Sequence, residues 1–137
     1  MIDKDNILTL LTPKTSLVYL TDDITVRQAL EKMRVHRFTA IPVINAKGEY
    51  VGSLAEGDLL YNIIKEEEVS IKDLENKKVS NLIRKNFMPA MKCDMSMDEL
   101  IKFITIQNYV PIVDDRNILM GIVTRSSLMK YLVEKIK

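Results

Sequence analysis

The sequence predicts a mixed α/β (α+β) fold of two pseudosymmetric repeats, each running strand, helix, strand, strand, helix, packed sheet to sheet. Three observations carry this. Two β-branched runs each hold one proline, Phe38-Thr39-Ala40-Ile41-Pro42-Val43-Ile44-Asn45 and Gln107-Asn108-Tyr109-Val110-Pro111-Ile112-Val113-Asp114, with Pro42 and Pro111 69 residues apart. Each is followed, after a polar turn, by an apolar run around a glycine, Tyr50-Val51-Gly52-Ser53-Leu54 and Leu119-Met120-Gly121-Ile122-Val123, and these glycines are also 69 apart. The apolar stripes of the flanking helices recur at nearly the same offsets. A period of this length marks one supersecondary unit used twice. A single copy of about 55–60 residues buries too little surface to stand alone, so the copies are expected to pack together.

The elements follow in order. The first repeat, with an N-terminal lead segment, occupies 1–68, and the second, with a linker, 69–137. Val18 and Tyr19 belong to a first short strand. Asp22-Asp23 reads as a cap for the first helix, where negative charge suits the dipole. Val26, Ala29, Leu30 and Met33 form one stripe of a 3.6-residue helix over 26–35. The proline strand follows, then the turn Asn45-Ala46-Lys47-Gly48 and the glycine strand. Leu59, Leu60, Ile63 and Ile64 mark the closing helix. Lys65 to Lys78, with Glu66-Glu67-Glu68 inside it, is a charged, solvated seam. In the second copy Met97, Leu100, Ile101 and Ile104 repeat the first stripe at an offset of 71. The turn Asp114-Asp115-Arg116-Asn117 precedes the second glycine strand; its paired aspartates read as a solvated turn rather than a metal site. Leu128, Met129, Leu132 and Val133 repeat the last helix.

Composition removes several function classes. The 137 residues carry 20 Lys+Arg against 19 Asp+Glu, a net charge of +1, so the basic footprint of a nucleic-acid binder is missing. One cysteine, Cys93, forms no internal disulfide and suits a reducing compartment. No apolar run approaches the ~18 residues of a membrane span, and the N-terminus does not read as a signal peptide. A soluble cytoplasmic protein is expected. With one histidine, His36, there is no HExxH helix and no Cys/His zinc set. A Ser-His-Asp triad would have to use His36, yet no GxSxG elbow exists, and His36 reads as an exposed or capping residue. Neither GxxxxGK[ST] nor GxGxxG is present. The chain reads as non-catalytic, with no metal and no cofactor.

The doubled pattern resembles the cystathionine-β-synthase-type (CBS) domain in tandem, the Bateman module. The matching residues are Ala40-Ile41-Pro42-Val43 and Val110-Pro111-Ile112-Val113. The family's Gly-apolar-x-Thr/Ser-x-x-Asp turn is matched in part by Gly52-Ser53-Leu54-Ala55-Glu56-Gly57-Asp58 and Gly121-Ile122-Val123-Thr124-Arg125-Ser126-Ser127. The resemblance spans about Leu8 to Ile136. It implies a regulatory, adenine-nucleotide-binding protein with two clefts, each joining strands of one copy to the helix-opening turn of the other. The first cleft would use Val18, Tyr19, Thr39, Ala40 and Ile41 with Thr124, Arg125, Ser126 and Ser127. The second, weaker cleft would use Ala90, Met91, Asn108, Tyr109 and Val110 with Ala55, Glu56 and Asp58.

Physical chemistry favours the first. Thr124 opens a helix whose first-turn N–H groups attract anions, and Arg125 adds a guanidinium fork. Val18 and Ile41 are expected to sandwich an adenine, and Arg125, in an exposed first turn, to matter little for folding. In the second cleft Ala55 lacks the hydroxyl and Glu56 is negative. The first cleft has Ser127 where the family's Asp holds a ribose diol, which suits cyclic di-AMP better than a mononucleotide, and the short layout is similar to stand-alone bacterial CBS pairs that bind cyclic di-AMP. Three functions stay open: a cyclic di-AMP sensor relaying ligand state to a partner protein; a module for AMP, ADP, ATP or S-adenosylmethionine acting through Asp58; and a structural dimer with vestigial clefts. A homodimer is expected through Leu59, Leu60, Ile63, Ile64, Leu128, Met129, Leu132, Val133 and Ile136.

Overall fold

The structure, a computed structural model, describes residues 7–36, 39–65 and 71–136, with the side chains of all of these except 63–65 and 71. Phe38 and the Glu66-Glu67-Glu68 run therefore lie outside the described residues. The chain divides into two compact units, one of Val18–Phe87 and one joining the segment up to Leu17 with the chain from Met88 onward. These spatial units and the sequence repeats are different divisions of the chain, because the lead segment packs in the unit of the second repeat.

In the Val18–Phe87 unit, β2 (Leu20–Thr21) leads through α1 (Val26–His36) to β3 (Ala40–Ile44), and β4 (Tyr50–Ala55) returns as a hairpin into α2 (Glu56–Lys65). The sheet order is β2-β3-β4, with β2 parallel to β3 and β3 antiparallel to β4. A parallel pair needs a crossover, and α1 supplies it. Of the stripe read from the sequence, Val26, Ala29 and Met33 are buried against Leu20, Ile41, Val43, Leu54 and Leu59, and Leu30 is partly buried against the same cluster. Each of these side chains larger than Ala29 contributes roughly 1.5–3 kcal/mol by leaving water.

The α1 cap differs from expectation. Thr25 Oγ1 accepts from the Gln28 N–H at 3.1 Å, and Gln28 Oε1 accepts from the Thr25 N–H at 3.0 Å, a reciprocal capping box. The first turn of α1 holds no acidic residue, so Asp22-Asp23 is not the cap. An Asp must stand one residue before the helix to reach its free N–H groups, and Thr25 holds that place. The charged seam also contains a short helix, α3 (Ile71–Asn76), which packs on α1 through Leu74 and an Arg27–Glu75 ion pair. Its few apolar residues gave no periodic stripe to read.

In the other unit, β1 (Thr12–Pro13), unforeseen in the lead segment, pairs antiparallel with β7 (Leu119–Thr124). The sheet order is β1-β7-β6-β5, with β5 (Met91–Lys92) parallel to β6 (Tyr109–Val113). Pro13 tolerates its place because β1 is an edge strand. α4 (Met97–Ile104) crosses from β5 to β6, and α5 (Arg125–Ile136) follows β7. Ser96 caps α4 by accepting from the Glu99 N–H at 3.2 Å. Met97, Leu100 and Ile104 are buried with Met91, Val110, Ile112, Val123, Leu128 and Ile7 of the lead segment.

The two hairpins repeat down to their irregularities. Both carry a one-residue shift in register, between Val43 and Ile44 and between Ile112 and Val113. Asn45 Oδ1 accepts from the N–H groups of Lys47 and Glu49, and Asp114 Oδ1 from those of Arg116 and Ile118. Asp114 is thus a turn residue, and these N–H groups, that of Ile118 first, hold its carboxyl below the usual range. Among the described residues no group of three His, Cys, Asp or Glu side chains is placed to hold a metal, and no helix is long and apolar enough to cross a membrane.

Candidate functional site

Each unit brings the start of its proline strand beside the N-terminus of its last long helix. The ladder sets Ala40 opposite Ala55 and Tyr109 opposite Thr124. The Glu56 N–H donates to Thr39 O at 2.9 Å, and the Arg125 N–H to Asn108 O at 3.0 Å. The parallel registers, Leu20 opposite Val43 and Met91 opposite Ile112, lay the chain leading into β2 and β5 along the same strands. Each unit therefore gathers two of the four predicted half-sites at one end of its sheet.

In the Val18–Phe87 unit the first half-site is Val18, Tyr19, Thr39, Ala40 and Ile41. Thr39 is exposed, and Val18, Tyr19 and Ala40 are half-buried. Ile41 is 1% exposed and belongs to the core, so it offers a ligand backbone groups and no face for an adenine. The second half-site is built around Asp58, in the first turn of α2. Its Oδ2 accepts from the Ala55 N–H at 3.0 Å, and its Oδ1 lies 2.7 Å from Nε of Arg84. Glu56 is exposed beside it.

In the other unit Asn108 is exposed and Ala90 half-buried, while Met91, Tyr109 and Val110 are buried and present chiefly backbone. Thr124 is the α5 cap: its Oγ1 accepts from the Ser127 N–H at 3.1 Å and donates to Ser127 Oγ at 2.9 Å. The hydroxyl is thus spent on the helix itself. With the Arg125 N–H given to Asn108, the exposed Ser126 supplies the first-turn N–H without a partner among the described residues.

The Arg125 side chain is not a free surface cation. Nε and Nη2 donate to Ile104 O at 3.1 and 2.9 Å, and Nη2 also to Gln107 O at 3.3 Å. A helix leaves its last four carbonyls unpaired. In α4 those of Ile101 and Phe103 accept from the N–H groups of Thr105, Ile106 and Gln107, and that of Lys102 from the Thr105 hydroxyl. Arg125 supplies the partner for Ile104. A cation at a helix C-terminus is favourable, so Arg125 is tied into the fold, against the expectation that it matters little for folding. Its Nη1 edge makes no contact among the described residues, so the fork stands oriented with one edge open.

Two contributors escaped the sequence reading. Gln107, 7% exposed, fixes the turn before β6 by donating from Nε2 to Pro89 O at 3.3 Å and Tyr109 O at 3.0 Å. Arg84 pairs with Asp58 from 26 residues away. Gln107 opens the second proline run but its counterpart Phe38 is apolar, and Arg84 sits in no motif, so spacing gave no signal for either role.

Comparison with known proteins adds the lineage. The sequence model of the CBS-domain family matches residues 7–65 and 79–134. An uncharacterized protein of Methanocaldococcus jannaschii is 28% identical over 124 residues, covering 82% of this chain and 44% of its own length. One of Methanopyrus kandleri is 29% identical over 115 residues, covering 77% and 54%. The chain spans about half the length of these two curated relatives. Among solved structures, the CbpB protein of Listeria monocytogenes in complex with c-di-AMP superposes with a TM-score of 0.83 at 18% identity, over 95% of this chain and 96% of that one. CBSX2 in complex with AMP gives 0.76 at 22% identity, over 96% and 98%. At these identities the likeness is one of fold.

Proposed function

Because this chain belongs to the CBS-domain family, with both repeats matched, we propose that it is a non-catalytic regulatory protein that binds an adenine nucleotide, with cyclic di-AMP as the favoured ligand. The observation that carries the choice is Arg125: a guanidinium oriented by two backbone carbonyls, with its Nη1 edge open, at the start of a 12-residue helix. A phosphate group, a phosphodiester included, is an anion that such a fork and an adjacent helix N-terminus receive. Ser127 stands where a mononucleotide's ribose diol would need a carboxylate, and a cyclic dinucleotide does not present that diol. A CbpB protein of similar fold solved in complex with c-di-AMP supports the reading. The pairing of the Thr39 and Thr124 half-sites into one cleft comes from the family resemblance, as does relay to a partner protein.

A second ligand reading has its own support. Asp58 is retained, its carboxylate is oriented by the Ala55 N–H, and CBSX2 holds AMP on the same fold. That half-site suits a mononucleotide. Self-association is also part of the proposal, on a narrower surface than the full stripes. Leu59 and Leu128 are 1% and 3% exposed and cover their own sheets, whereas Leu60, Tyr61, Met129, Val133 and Ile136 remain exposed. Ile63 and Ile64 have side chains outside the described residues.

A thermal-shift panel of cyclic di-AMP, AMP, ADP, ATP and S-adenosylmethionine tests the function. A ligand that binds only the folded state adds about 2.7 kcal/mol at a hundredfold excess over Kd. The largest rise is expected with cyclic di-AMP; no rise with any of the five refutes the nucleotide reading and leaves a structural dimer. Sedimentation at tens of micromolar is expected to show a dimer, and a clean 15.8 kDa monomer refutes self-association.

A further inference from the structure

The Asp58 half-site carries a cation that its own helix does not supply. Arg84 follows the 3-10 turn Val79–Leu82 and sets Nε 2.7 Å from Asp58 Oδ1 and Nη2 3.5 Å from Oδ2. Its guanidinium carbon lies 3.9 Å from the centre of the Phe87 ring. One edge of the fork is thus held by a carboxylate and one face by an aromatic ring, which together fix its plane. Asn86 and Met88, on either side of Phe87, adopt positive φ of 64° and 54°. A bulky Met in that region is unusual, and the two left-handed residues bracket Phe87 in the chain.

The exposures divide the roles. The Asp58 side chain is 11% exposed and the Arg84 side chain 55%. The carboxylate is nearly enclosed, while the guanidinium reaches solvent with Nη1 uncommitted among the described residues. Three donors converge on Asp58, namely the Ala55 N–H with Nε and Nη2 of Arg84, and an ionised carboxylate accepts about four. Glu56 repels a phosphate from the start of α2. An incoming phosphate is therefore received away from the helix, where Arg84 stands.

We propose that Arg84 is the phosphate-recognising residue of the Asp58 half-site, so that this half-site prefers a nucleoside monophosphate over the nucleoside, with Asp58 accepting from a ribose hydroxyl at its one remaining position and Arg84 donating to the phosphate. The inference rests on the mononucleotide reading of Asp58 above.

Calorimetric titration of AMP and adenosine into the wild-type chain, Asp58→Asn, Arg84→Ala and Arg84→Gln tests it. Arg84→Ala is expected to weaken AMP about ten- to hundredfold, the loss of one charge-assisted contact, and to leave adenosine within about twofold. AMP and adenosine falling together, or AMP unchanged, overturns the role of Arg84 while leaving Asp58 as the ribose acceptor. Wild-type chain that binds neither, or Asp58→Asn that binds AMP normally, overturns the Asp58 reading and this inference with it. Should Arg84→Ala fail to fold, Arg84→Gln decides on the same split, because it keeps the stem over Phe87 and a donor for Asp58 without the charge.

Discussion

Truncation of Arg125 separates what that side chain does for the fold from what it does for a ligand. Arg125→Ala removes three N–H···O=C contacts and leaves Ile104 O, at the buried end of α4, without the partner that closes the helix. A buried hydrogen bond from a charged donor is worth roughly 1.5–3 kcal/mol, and a surface cation at a helix C-terminus roughly 0.3–1 kcal/mol. Arg125 is exposed and water replaces part of the loss, so the expected destabilisation is about 1–2 kcal/mol, a fall in Tm of roughly 3–8 °C. Urea melts with an unchanged m-value give the number. Cyclic di-AMP affinity, by titration below the Tm, should fall about ten- to hundredfold. Arg125→Lys restores charge, but a single ammonium cannot hold two carbonyls and keep an oriented edge open, so affinity stays low. An Arg125→Ala protein as stable as wild type refutes the clamp. Normal cyclic di-AMP affinity in a destabilised variant refutes the phosphate role and keeps the clamp.

Three further outcomes follow from packing and burial. A Cβ at Gly121 would lie 2.1 Å from Thr12 O and 3.0 Å from Pro13 Cα, so Gly121→Ala must push β1 off β7, at about 2–3 kcal/mol in a chemical melt. At Gly57, in the α2 first turn, a Cβ meets nothing within 4 Å, and Gly57→Ala is expected to be neutral or to stabilise by about 0.5–1 kcal/mol in the same assay. Burial pushes the Tyr50 hydroxyl up to about 12, against a smaller opposing effect of its hydrogen bond with Ser53. The unfolded chain ionises first, near pH 10, so this contribution is intact below pH 10 and drains away between about 10 and 12. The loss is on the order of 2–3 kcal/mol. Melts across that window should show it, and Tyr50→Phe should flatten the slope; an unchanged slope refutes the assignment.

The sequence alone determined the repeat, its element order and the helix-stripe and strand residues of both cores, though not Ile7, Val79 and Leu82, which the fold adds to them. Those features rest on local periodicity, and burying a 3.6-residue stripe or a proline strand leaves the same mark wherever it occurs. The glycines at 52 and 121 were legible as a pair, yet tertiary structure gave them different work. Gly52 adopts a φ of 148° with Ile83 packed against it, and Gly121 makes room for the backbone of the lead segment. The half-site backbone was legible for the same reason: strand starts and helix starts are local. What only the three-dimensional structure decided is how charged side chains are used. Arg125 holds carbonyls 18 and 21 residues upstream, and Arg84 holds a carboxylate 26 residues upstream. A guanidinium acts through donors at the end of a long, flexible stem, so its partner is set by what the folded chain brings within about 3 Å, which spacing along the sequence does not encode. The lead segment is the backbone counterpart: two residues, Thr12 and Pro13, become a strand only because β7 offers an open edge to pair with.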